Sequence, residues 1–107
     1  MSPQQLAAQI DHFNRELQHH QHKINEWKSK RQECIAHLER IHNHPVDPRN
    51  LRAAEQRRHD QTKWRNRRNT AEENLRNHDE RARAKHEEKR KLQHRYDQLR
   101  AQQAQRR

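Results

Sequence analysis

The chain contains no glycine, and its only prolines are Pro3, Pro45 and Pro48. Nothing therefore interrupts the backbone except at the start and near the middle, which is the punctuation of two long helices. Ala, Arg, Lys, Glu and Gln dominate the intervals between the prolines, and all are strong helix formers.

Each predicted helix start carries capping residues. Ser2, Pro3 and Gln5 supply an N-cap, a proline at the first helical position and a capping-box partner, with Met1 and Leu6 placed as a hydrophobic staple. Asp47 before Pro48, bracketed by Val46 and Leu51, repeats the arrangement. Pro45 ends the first helix, because proline disfavours the α conformation of His44 and removes a backbone donor. The expected boundaries are about 3–43 for the first helix, 44–47 for the corner and about 48–104 for the second helix. Thr70 with Glu73 offers an alternative cap within the second helix, but no breaker accompanies it, so a continuous helix is expected.

The first helix follows a 4,3 apolar spacing through Leu6, Ile10, Phe13, Leu17, His20, Ile24, Trp27, Arg31, Cys34, Leu38 and Ile41, with His20 and Arg31 as polar interruptions, the pattern of a coiled-coil seam. The second helix continues it more weakly through Ala54, Gln61, Trp64, Arg68, Ala71, Leu75, His78, Ala82, Lys85, Lys89, Leu92, Tyr96 and Leu99. The expected fold is all-α: one antiparallel coiled-coil hairpin with the second helix the longer. Folding about a short corner places Ile41 near Arg52, Trp27 near Trp64 to Arg68, Leu17 near Leu75 and Ile10 near Ala82. At 1.5 Å per residue the helices span roughly 60 and 80 Å, so about the last 17 residues of the second should overhang. Leu92, Tyr96 and Leu99 fall in that overhang and are the expected partner-binding residues.

Charge is sorted along the chain. Residues 1–47 hold six Lys/Arg and six Asp/Glu, whereas residues 48–107 hold nineteen and nine, so the whole formal excess of +10 belongs to the second half. The densest segment offers Arg57, Arg58, Lys63, Trp64, Arg65, Arg67 and Arg68 as candidate nucleic-acid or anion-binding residues. Arginine forks match phosphate oxygens, and an aromatic neighbour can stack on an exposed base. The alternative for the same segment is a solvated coiled-coil flank with Trp64 in the seam.

With 26% hydrophobic and 37% charged residues, the chain cannot bury a large core. Two such polar helices are expected to leave no pocket between them. Without glycine there is no phosphate loop or oxyanion loop to build, and Cys34 on the seam reads as inert packing, so no enzymatic activity, cofactor or small-molecule substrate is expected. The eleven histidines contain no metal-binding motif, and His20 and His78 should lie about one turn out of line, so no metal site is expected either. The absence of a long apolar run, and the lone cysteine, point to a cytoplasmic protein with no membrane span.

Two functional readings follow. The first is a non-catalytic interaction coiled coil of adaptor, scaffold, inhibitor or secretion-accessory type, which binds a protein partner or self-associates through the seam and the overhang. In architecture it is similar to the basic antiparallel coiled coils of type III secretion stalk proteins. The alternative is a nucleic-acid-binding hairpin that places segment 57–68 on phosphates, in general plan similar to Rop-like RNA binders.

Overall fold

The computed structural model describes residues 2–106 of the chain, which fold as two α-helices, α1 (Pro3–Asn43) and α2 (Leu51–Gln105). Among the described residues there is no strand, and the fold is the expected all-α antiparallel hairpin. The contacts divide it into two units, one formed by Ile24–Asn77 and the other by the described residues up to Lys23 and from His78 onward.

The capping box at Ser2 is present in both directions: the Ser2 amide donates to Gln5 Oε1 (2.9 Å), and the Gln5 amide donates to Ser2 Oγ (3.2 Å). These bonds satisfy two of the four amides that a helix start leaves without partners. Met1, the other half of the expected staple, lies outside the described residues.

The corner differs from expectation, since it spans residues 44–50 and α2 begins at Leu51 rather than at Pro48. Asp47 Oδ1 accepts from the Arg49 amide (2.9 Å), and the Asn50 amide donates to the Asp47 carbonyl (3.0 Å). Asp-Pro thus occupies the first two positions of a β-turn, a placement that favours the same two residue types as a helix start does. The N-cap is Asn50, whose Oδ1 accepts from the Ala53 amide at 3.1 Å. Leu51, expected as a staple, is 71% exposed.

At the end of α1, two carbonyls find partners outside the helical ladder. The His44 ring nitrogen Nδ1 lies 2.8 Å from the Arg40 carbonyl, and Arg57 Nη2 donates to the Ile41 carbonyl at 3.2 Å. Farther along, α2 runs unbroken past Thr70, whose hydroxyl donates back to the Asn66 carbonyl (3.1 Å) instead of capping a new helix.

Every seam residue named above is buried or half-buried. Full burial is sparse, however: Leu6, Ile10, Cys34, Ala71 and His20 are the buried residues among those described. The heptad faces are as expected, but the axial pairing is shifted by about one heptad. In the unit formed by the two chain ends, Leu92 lines a groove with Gln9 and Phe13, and Tyr96 lines another with Pro3, Gln4 and Ala7.

Leu92 and Tyr96 are therefore half-buried alongside the first turns of α1, and Leu99 is half-buried too. The overhang of the longer α2 (55 residues against 41) is thus shorter than expected and does not free these side chains. The physical reason is apolar matching. The expected pairing sets Leu6 and Ile10 against Ala82, Lys85 and Lys89, whereas a shift of seven residues sets them against Lys89, Leu92 and Tyr96, replacing an alanine and a lysine with two large apolar residues. Burying each large apolar side chain contributes roughly 1.5–3 kcal/mol.

Candidate functional site

The seven basic and aromatic residues expected to form one anion-binding surface point in three directions. Arg57 and Arg68 turn toward the seam and are half-buried. Arg57 is occupied by the Ile41 carbonyl, and Arg68 lies 3.9 Å from Glu72. At 3.6 residues per turn, Lys63 and Arg67 share one flank of α2, while Arg58 and Arg65 share the opposite flank. These last four are exposed.

On the Lys63 and Arg67 flank, Ile24–Asn77 contains a groove of about 390 Å³, although no pocket was expected between helices this polar. It is lined by Trp27, Lys30, Glu33 and Cys34 from α1 and by Trp64, Asn66, Arg67 and Thr70 from α2. Its volume falls within the ~300–1,000 Å³ of small-ligand sites. Cys34 contributes to the wall while remaining buried, which suits a packing thiol.

Each indole in this groove carries a cation. Lys30 Nζ stands 4.2 Å from the centre of the Trp27 ring, and the Arg67 guanidinium stands 4.7 Å from the centre of Trp64. Lys63 is a second cation near Trp64, at 5.6 Å. The expected closeness of the two tryptophans takes the form of a shared groove. The ring stacked on Trp64 is His37, with centroids 3.7 Å apart and planes 8° from parallel, about one heptad nearer the corner than the expected partner.

The sequence reading missed Trp27, Lys30 and His37 as site residues. The signal available was a spacing that occurs once on each helix, tryptophan followed three residues later by a cation: Trp27 with Lys30, and Trp64 with Arg67. That i,i+3 step puts the cation over its own ring. A cation on an exposed ring is worth ~0.5–1 kcal/mol, whereas stacking a flat aromatic ligand is worth ~1–3 kcal/mol per ring. Such a ligand can displace the cation from the indole face and turn it toward a negative charge, although Lys30 already pairs with Glu26 at 3.4 Å.

A second cluster lies in the other unit. His20, 7% exposed, meets His78 with Nδ1 to Nδ1 at 3.1 Å, where the expected pairing had set them a turn apart. Both imidazoles are held below their usual pKa of 6.5. Burial is the main cause for each, followed for His20 by His78 and for His78 by Arg81. Nearby, Glu16 pairs with Lys85 and His12. Its carboxyl is held below the usual 4.5, first by the hydrogen bond from Lys85. Among the described residues, no group of three or more His, Cys, Asp or Glu side chains is placed to hold a metal ion.

Leu92, Tyr96 and Leu99 are each half-buried, and the first two line grooves with α1. Leu92 borders its groove with Glu88, Lys91 and Arg95, and Tyr96 receives a hydrogen bond from Arg100 Nη1 at 3.2 Å. Among the described residues, no helix is long and apolar enough to cross a membrane. No protein-family model matches the chain, and no curated protein or solved structure is significantly similar to it.

Proposed function

We propose that this chain is a non-catalytic, cytoplasmic coiled-coil interaction protein whose first partner is a second copy of itself, joined along the seam. The observation that supports this reading is incomplete coverage of the apolar stripe. Phe13, Leu17, Ile24, Leu38 and Ile41 on α1, and Leu75, Leu92 and Leu99 on α2, remain only half-buried after the two helices have paired. Two helices alone leave the sides of their shared seam open to water, and a four-helix arrangement covers them.

Charge favours α1 as the face that meets the second copy. Residues 1–47 carry equal numbers of cations and anions, so two α1 surfaces can approach without net repulsion, whereas the excess of +10 resides beyond Asp47. Arg31, on the half-buried seam of α1, is a polar group that would fix register and helix number at some cost in stability.

Sedimentation equilibrium tests this directly. The expected result is a mass of twice 13.3 kDa at high micromolar concentration, falling toward a single chain on dilution and on substitution Leu17→Asp. A single-chain mass at every concentration, with full helicity retained, would refute self-association.

A further inference from the structure

We propose that the groove holding Trp27 and Trp64 binds single-stranded nucleic acid, with bases stacked on the two indoles and phosphates held by Lys30, Lys63 and Arg67. Self-association through the seam is not required for this. Three features of the groove select that ligand, and each can be perturbed separately.

The first is the pairing of ring with cation on both walls. Lys30 lies over Trp27 at 4.2 Å while paired with Glu26 (3.4 Å), and Arg67 lies over Trp64, the ring that also stacks on His37, at 4.7 Å. On each wall an incoming base therefore takes the ring face from a cation, which then turns to the phosphate. A nucleotide strand repeats these two needs, a flat base and an anionic linkage, once per residue. Asn66, also on the wall, presents an amide that can donate to and accept from a base edge.

The second feature is direction. Arg67 lines the groove and Lys63, on the same flank, stands 5.6 Å from the Trp64 ring, while Arg58 and Arg65 occupy the opposite flank of α2, so the cations that matter are set by geometry rather than by net charge. The third is single-strandedness. Bases within a duplex are stacked on one another and cannot reach an indole, whereas an unpaired base offers its whole face.

Glu33 also borders the groove, and its Oε1 lies 3.9 Å from His37 Nε2. This carboxylate repels phosphate at its end and so confines the strand to the side of Lys30 and Arg67. An acidic peptide could pair with the same cations, but it would leave both indoles unused.

The chain has two tryptophans and both line the groove, so their fluorescence reports on this site alone. A short oligothymidylate is titrated into the full chain, alongside a duplex of equal length and a polyglutamate of equal charge. Saturable quenching is expected with the single strand, and little quenching with the other two. Lys30→Gln with Arg67→Gln, both exposed positions, is expected to preserve helicity and to weaken single-strand affinity about tenfold at low salt. The same pair should reduce the salt slope by about 0.7 per cation removed. Arg58→Gln with Arg65→Gln on the far flank should change affinity much less. Equal effects of the two pairs of substitutions, equal binding of polyglutamate, or binding without change in tryptophan emission would each overturn the proposal.

Discussion

His20 on α1 and His78 on α2 share one hydrogen bond between their Nδ1 atoms, 3.1 Å apart, and this bond requires that at least one ring be neutral. The rings are surrounded by positive charge from both helices, His19 and Lys23 on one and Arg81 and Lys85 on the other. Burial and these cations hold both imidazoles below 6.5 in the folded state, so between those lowered values and 6.5 the unfolded chain binds more protons. Stability from this pair is therefore fully present above about pH 6.5 and is lost as pH falls toward the lowered values. Thermal melts across pH 7 to 5 should show a falling Tm. His20→Leu with His78→Leu should flatten that dependence, because no buried donor or acceptor is then left unpaired.

The corner makes a prediction that separates two neighbouring polar residues. Asn50→Ala removes the side chain that caps α2 and should cost about 0.5–2 kcal/mol in urea unfolding. Asp47→Ala loosens the preceding turn while leaving the cap in place, and should cost less. The opposite order would mean that α2 starts at Pro48.

Leu6 is the fully buried large side chain of the unit that joins the two chain ends. Leu6→Ala should destabilise the protein by about 2 kcal/mol or more, and amide exchange should rise both in the first turns of α1 and around Leu92 to Leu99. Loss of protection confined to α1 would contradict the contact of these segments.

The stacked His37 and Trp64 rings are expected to couple energetically. A double-mutant cycle with His37→Leu and Trp64→Leu should return an interaction of about 0.5–1.5 kcal/mol, the usual worth of an aromatic pair beyond its buried area. Zero coupling would show that the two rings merely share space.

Much of the architecture was legible in the sequence. The missing glycine, the three prolines and the 4,3 spacing defined two helices, and every seam position they indicated, from Leu6 to Leu99, is at least half-buried. Axial pairing was not legible, because a heptad pattern is degenerate: a slip of seven residues again sets seam against seam. Local chemistry at the corner resolved that degeneracy, through Asp47 and Asn50, and so did the match of Leu92 and Tyr96 to the start of α1. Both depend on three-dimensional alternatives that one capping rule cannot rank, since Asp-Pro suits a turn and a helix start alike.

The candidate site was legible only in part. Composition marked Arg57 to Arg68 as one surface, but helix geometry divides it, sending Arg57 to the Ile41 carbonyl and Lys63 and Arg67 to the tryptophan groove. The nearness of Trp27 to Trp64 was legible from the seam, but Lys30 was not, because it is exposed off the seam and its place over the Trp27 ring follows from the i,i+3 step rather than from the heptad pattern.

The central claim is that the seam of one hairpin is completed by a second copy, and the concentration dependence of thermal unfolding tests it most directly. If folding and association are linked, the Tm followed by far-UV circular dichroism rises with chain concentration, on the order of 3–5 °C for each tenfold increase. A Tm independent of concentration from low to high micromolar, with the same helicity throughout, would contradict the account.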